Sequence, residues 1–148
     1  MPGQTAHPRR HVRGHSYGLP EPRPPAFAPA AWRESEWYRY GVDLYNFGYW
    51  WECHEVFEGL WHAVGHETEQ GQCFQGLIQV AAANLKRFQG NEGAAEALFR
   101  RGLARLAQVP SPYMGIAVRA FERDVQGYVS GSRKTPALIR LMSEDAPR

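Results

Sequence analysis

Cysteine is scarce in this chain. Of 148 residues only Cys53 and Cys73 carry a thiol. Two cysteines without a secretory leader do not make a disulfide framework, so reduced thiols in a cytoplasmic protein are expected. Long apolar runs are also missing. No stretch approaches the roughly 18 uninterrupted apolar residues of a membrane span, so no membrane partner is expected. No glycine-rich phosphate loop, Ser-His-Asp pattern or CxxC pair occurs, which removes the commonest nucleotide, serine-hydrolase and dithiol chemistries. No segment alternates with the period of two that a half-buried strand requires.

Excess charge of one sign is missing too, outside one segment. The formal net charge is +2. Residues 1–30 hold Arg9, Arg10, Arg13 and Arg23 against Glu21, while the remainder has 13 basic and 14 acidic groups. Phosphate binding calls for a basic face on the folded surface, so nucleic acid is not an expected partner. A length of 148 residues suits one domain. Such a chain buries about 68–70% of its unfolded surface, enough for a core without staples.

Seven of the eleven prolines lie before residue 30. Proline removes a backbone donor and breaks helix interiors, so residues 1–30 are read as an extended or disordered arm. Residues 31–142 read as one helical domain, and residues 143–148 as a tail. In the first helix Trp37, Tyr40, Gly41, Leu44 and Gly48 recur at helical spacing. Asn46-Phe47-Gly48-Tyr49 breaks it. A second helix runs from about Tyr49 to Val64 with Cys53, Val56, Phe57, Leu60 and Val64 on its core stripe. Residues 65–71 read as a loop. The third helix carries Phe74, Leu77, Ile78, Ala81, Leu85 and Phe88, and the fourth spans about Glu92 to Ala107. Ser111-Pro112 suits the start of a fifth helix, which Gly131 ends. Pro136 to Met142 form a short apolar tail. The expected fold is all-α, an antiparallel bundle of about five helices, because short connections favour antiparallel neighbours.

The second helix holds the chemically suggestive residues. With Cys53 at zero, His54, Trp61 and Glu58 fall at about 100°, 80° and 140°, on one shoulder of the core stripe. On the third helix, with Phe74 at zero, Gln75 and Gln79 fall at about 100° and 140°. Antiparallel packing brings the two shoulders to one groove. His54 and Glu58 at i, i+4 can face one divalent ion such as zinc or manganese, with Glu55 or Glu52 as general base. Gln75, Gln79, Trp61 and Asn46 are then the candidate binding residues. The donor set is incomplete: an HExxH zinc motif needs a second histidine where Glu58 stands, and a di-iron bundle needs Glu-x-x-His on a second helix. The alternative is a structural His–Glu–Gln–Gln network that locks two helices.

Other features have plainer readings. Twelve of the nineteen aromatic residues lie between Phe27 and Trp61, which suits core packing of the first two helices. His62 and His66 sit one turn apart near a helix end, as solvated histidines or a second ligand pair. Arg100, Arg101 and Arg105 suit a solvated helix face.

Several phrases together resemble a bacterial and archaeal family, the domain of unknown function family 309. They are Phe47-Gly48-Tyr49, Glu-x-His-Glu-Val-x-Glu-x-x-Trp from Glu52 to Trp61, Gln75-Gly76-Leu77-Ile78-Gln79, Ala81 to Ala83, Gly90-Asn91 with Ala94 and Ala95, and Tyr113-Met114-Gly115-Ile116. The resemblance covers about Trp37 to Met142. It implies a small helical bundle whose first hairpin looks like a tetratricopeptide-type helix pair. It also implies the label of predicted metal-dependent hydrolase that relatives carry, which rests on the same His/Glu motif.

Two functions follow as expectations. One is a metal-dependent hydrolase built on His54 and Glu58. The other is a non-catalytic interaction or scaffold module that presents aromatic surface to a partner or to a second copy, as a homodimer.

Overall fold

The computed structural model describes residues 23–143. A 3-10 helix, Pro29–Glu34, leads into five α-helices: α1 Glu36–Asn46, α2 Trp50–Val64, α3 Glu69–Phe88, α4 Glu92–Leu106 and α5 Val118–Ser130. Among the described residues there is no strand, only isolated bridges pairing Ile116 with Tyr113 and with Leu141. The all-α expectation holds. Among the described residues no helix is long and apolar enough to cross a membrane.

Local chemistry sets most helix starts. The Ser35 hydroxyl accepts from the Tyr38 amide at 3.1 Å and opens α1. The Thr68 hydroxyl accepts from the Gly71 amide and opens α3, and the Asn91 side chain accepts from the Ala94 amide and opens α4. These side-chain acceptors satisfy amides that the first helical turn leaves unpaired. The Thr68 cap also explains why α3 begins at Glu69 rather than beyond Gly71. Gly71 is not a loop glycine. A Cβ there would sit 2.0 Å from the Gly65 carbonyl oxygen, so glycine lets the turn close against the helix.

The helices pack in chain order. Tyr38 and Tyr45, at the two ends of α1, reach Phe74 and Asn84, at the start and toward the end of α3, so α1 and α3 run parallel. Trp50, at the start of α2, meets Phe88, at the end of α3, so the helix between them is antiparallel to both. This is the expected hairpin of α2 and α3. Helix α4 returns along α3 at close range. A Cβ on Gly76 would stand 2.8 Å from the Leu106 side chain, and one on Gly102 would stand 3.0 Å from the Gly76 carbonyl. Bare backbone at these two positions lets α3 and α4 approach each other.

The core lies on α3. Cys53, Val56, Phe57 and Leu60 of α2, with Cys73, Phe74, Leu77, Val80 and Ala81 of α3, are fully buried. Phe27, Tyr38, Phe57 and Phe74 interlock, with ring centroids 5.5–6.5 Å apart in the contacting pairs. Phe27 lies upstream of residue 31, and its carbonyl accepts from Gln70 Nε2. The packed region therefore starts before the boundary read from proline content, because one aromatic anchor outweighs the local lack of helix. Residues 1–22 of the expected arm and 144–148 of the expected tail lie outside the described residues.

The fifth helix differs from expectation at its start. It begins at Val118, not beside Pro112. Residues 113–116 form a tight turn instead, in which Tyr113 and Ile116 exchange backbone hydrogen bonds at 2.9 Å. The Ser111 hydroxyl still accepts from a helical amide, that of Arg119. The Arg119 guanidinium donates to the carbonyls of Leu106, Ala107 and Val109, a cationic cap on the C-terminal end of α4. The apolar tail packs inward, with Ala137 and Ile139 buried.

Candidate functional site

Helix α2 divides into unlike faces. Its core stripe is sealed against α1 and α3. Trp50, His54, Glu58 and Trp61 follow at i, i+4, i+8 and i+11, a second stripe on the shoulder toward α3. His54 Nε2 stands 3.9 Å from Glu58 Oε2, with both side chains part-exposed. That is ion-pair range but beyond a hydrogen bond. The Trp51 indole stacks on the His54 ring, centroids 5.3 Å apart and planes within 4°.

The structure brings His54 and Glu58 together as their spacing demands. The two glutamines are not hydrogen-bonded to them. Gln79 Oε1, His54 Nδ1 and the indole nitrogens of Trp50 and Trp61 are shielded from solvent and have no hydrogen-bond partner. Buried polar atoms normally find partners, so this shoulder is under-satisfied rather than a closed network. Gln79 lies on the side of α3 that faces α4, where a Cβ on Gly102 would stand 3.3 Å from the Gln79 Cβ. Gln75 is half-buried.

The remaining candidates are placed differently. Glu52 is buried, 8% exposed, and Glu55 half-buried. At i−2 and i+1 from His54, neither faces its ring, because helical neighbours meet at i±3 and i±4. The Asn46 side chain is committed to the fold: its amide donates to the Ile139 carbonyl and its oxygen accepts from the Ile139 amide, both at 2.8 Å. Trp61 stacks face to face on His66, ring centroids 3.6 Å apart.

A divalent ion can be tested against this geometry. Catalytic zinc takes three protein ligands and leaves one position open. His54 and Glu58 supply two, and a glutamine oxygen is a poor third. Among the described residues no three His, Cys, Asp or Glu side chains converge on one centre. His54 Nδ1 also lacks the acceptor that orients a ligating imidazole. The donor set does not fit a tightly held zinc or manganese ion.

Thiol chemistry fits no better. Both cysteines are free and buried. Burial raises the Cys53 thiol pKa, with a further push from the Glu52 carboxylate, and carries that of Cys73 up to about 12. A reactive thiolate needs the opposite environment.

What the sequence did not disclose is the open end of the α1–α2–α3 layer. Phe47 closes α1, Trp51 sits in the first turn of α2 and Phe88 ends α3. They are 66%, 58% and 71% exposed, the most exposed large apolar side chains in the described chain. Helical spacing would have flagged Trp51, which lies about 160° from the core stripe. Phe47 and Phe88 occupy helix ends, where periodicity is silent.

Comparison with known proteins gives one family model and an uncharacterised relative. A family model described as a domain of unknown function, DUF309, matches residues 38–98. An uncharacterised protein of Aquifex aeolicus (strain VF5) is 31% identical over 99 residues, which covers 64% of this chain and 29% of that relative. The chain thus corresponds to under a third of the relative it matches. The matched segment runs from Tyr38 through α2 and α3 into α4 and contains every residue of the shoulder described above. Over residues 38–98 this chain is similar to the DUF309 family.

Proposed function

We propose that this domain is a non-catalytic helical module that assembles with a second copy of itself through its aromatic end. The carrying observation is the exposure of Phe47, Trp51 and Phe88 where three helices end together. Single exposed apolar residues are ordinary, but clustered large ones mark interaction surfaces. The rings carry no charge, and aromatic rings pair well with others of their kind in offset or edge-on contacts. A surface of this composition is complementary to its own copy, as a two-fold interface requires. Sedimentation equilibrium tests the reading. The wild-type chain is expected to be dimeric in the micromolar range, and the double variant Trp51→Asp/Phe88→Asp monomeric with unchanged helical circular dichroism. A monomeric wild type overturns it.

A hydrolase that uses a weakly held zinc or manganese ion at His54 and Glu58, with Gln75 and Gln79 as substrate ligands and Glu55 or Glu52 reaching the site only through a water as base, is the second reading. What favours it is the one-turn approach of His54 Nε2 to Glu58 Oε2, 3.9 Å apart; the missing third ligand among the described residues stands against it. Its test is a thermal melt with each ion. A rise in melting temperature that His54→Ala abolishes would support it by mass action. Equal melting of the wild type with and without ions would end it.

A further inference from the structure

We infer that His62 and His66 form a two-imidazole chelate for a tetragonal divalent transition ion, copper(II) above all, at the C-terminal end of α2. The site adjoins the Trp61 end of the His54 shoulder but uses neither His54 nor Glu58, and it lies away from the aromatic end. It rests on three features of these residues.

The first is distance. His62 Nδ1 and His66 Nε2 lie 2.8 Å apart on exposed rings. Imidazole nitrogens bind such ions at about 2.0–2.1 Å. Two nitrogens in adjacent corners of a square plane are therefore about 2.9 Å apart, against roughly 3.3 Å in a tetrahedron. The observed separation suits a right-angled bite. Square-planar and tetragonal nitrogen and oxygen sets are characteristic of copper(II) and nickel(II), and copper(II) stands highest in the affinity order of the divalent first-row ions.

The second is preorganisation. The His66 ring lies against the Trp61 indole, planes 11° apart. The His66 carbonyl accepts from Gln72 Nε2, and the following Thr68 hydroxyl donates to the carbonyls of Gly65 and Val64. His66 is thus held in ring and backbone, and the His62 ring also rests against Trp61, centroids 5.2 Å apart.

The third is ligand chemistry. Two neutral imidazoles that face each other through nitrogen share one proton, so one must be the donor. A cation is the partner that lets both nitrogens act as acceptors. The donor ring needs only to carry its proton on its other nitrogen, a tautomeric change with no net proton release. No third His, Cys, Asp or Glu joins the pair among the described residues, so water fills the remaining equatorial positions.

The experiment uses the full chain and copper(II) chloride with glycine as a competing chelator. Isothermal titration and electron paramagnetic resonance give affinity and geometry, and the part of the tryptophan emission lost on adding copper, compared between wild type and Trp61→Phe, reports on Trp61. The expected result is one ion with an axial, two-nitrogen spectrum and quenched tryptophan emission. His62→Ala and His66→Ala should each weaken binding at least tenfold. The chain also holds His7, His11 and His15. Replacing those three with alanine should leave affinity and spectrum unchanged. Copper binding of equal strength in the His62→Ala/His66→Ala variant, or loss of the spectrum in the triple variant, would overturn the assignment.

Discussion

The two ends of the α1–α2–α3 layer are both aromatic and treat their rings in opposite ways. At the end where α1 and α3 begin, Phe27, Trp32, Tyr38 and Phe74 pack against one another, and the Tyr38 hydroxyl donates to the Met114 carbonyl at 2.8 Å. At the other end Phe47, Trp51 and Phe88 stand in solvent. The closed end is covered by elements from outside the hairpins: the segment around Phe27, the 3-10 helix and the turn at residues 113–116. At the open end Ile139 reaches Asn46 and Tyr128 reaches Arg87, but the three rings stay uncovered. The same residue types therefore stabilise the fold at one end and are left over for recognition at the other.

The largest expected effect sharpens that contrast. Phe74→Ala, in the closed cluster, should cost about 3–5 kcal/mol in denaturant unfolding. Phe88→Ala should stay within about 0.5 kcal/mol, as surface changes do. Similar costs at the two sites would break the distinction between the ends.

Alkaline pH acts on buried groups at both ends of α1. Burial raises the pKa values of Tyr38 and Tyr45, and burial with the neighbouring Glu69 carboxylate raises Cys73 to about 12. Each group holds its proton more tightly when folded than unfolded. Stability is then fully present below their unfolded values, near 8.5 for thiol and 10 for phenol, and falls as pH rises above them. Between pH 9 and 11 the loss should approach about 1.4 kcal/mol per pH unit for each group that the unfolded chain has ionised. Flat stability across that range, measured by urea titration, would contradict the burial of these groups.

Smaller effects test the edges. Asn46→Ala strands the Ile139 amide and carbonyl and should cost about 1–3 kcal/mol. His54→Ala should cost less, about 0–1 kcal/mol, because its long contact to Glu58 is part-exposed and screened by water. A loss of several kcal/mol at His54 would mean that the shoulder is a structural lock after all.

Much of the helical skeleton was legible in the sequence. The core stripe of α2, the facing of His54 and Glu58, and the pairing of α2 with α3 all follow from a period of 3.6 and short connections. The start of α3 was misread by a few residues because Gly71 resembles a loop glycine until its contact with the Gly65 carbonyl is known. The start of α5 was misread because the Tyr113–Ile116 turn is held by backbone pairing that leaves no side-chain signature. Asn46 was legible as a polar residue at a helix end, but its partner Ile139 lies 93 positions away.

By itself the sequence determined which residues share a helix face, since that depends only on the rotation per residue along one chain segment. The caps at Ser35, Thr68 and Asn91 are equally local, with donor and acceptor three residues apart, although only the structure displays them. Only the tertiary structure decided which aromatic end is covered, that Asn46 is committed to Ile139, and that Gln79 and His54 do not close on each other. Those outcomes depend on how distant segments fill space around α3, and burial is a property of the whole packed chain rather than of any window along it.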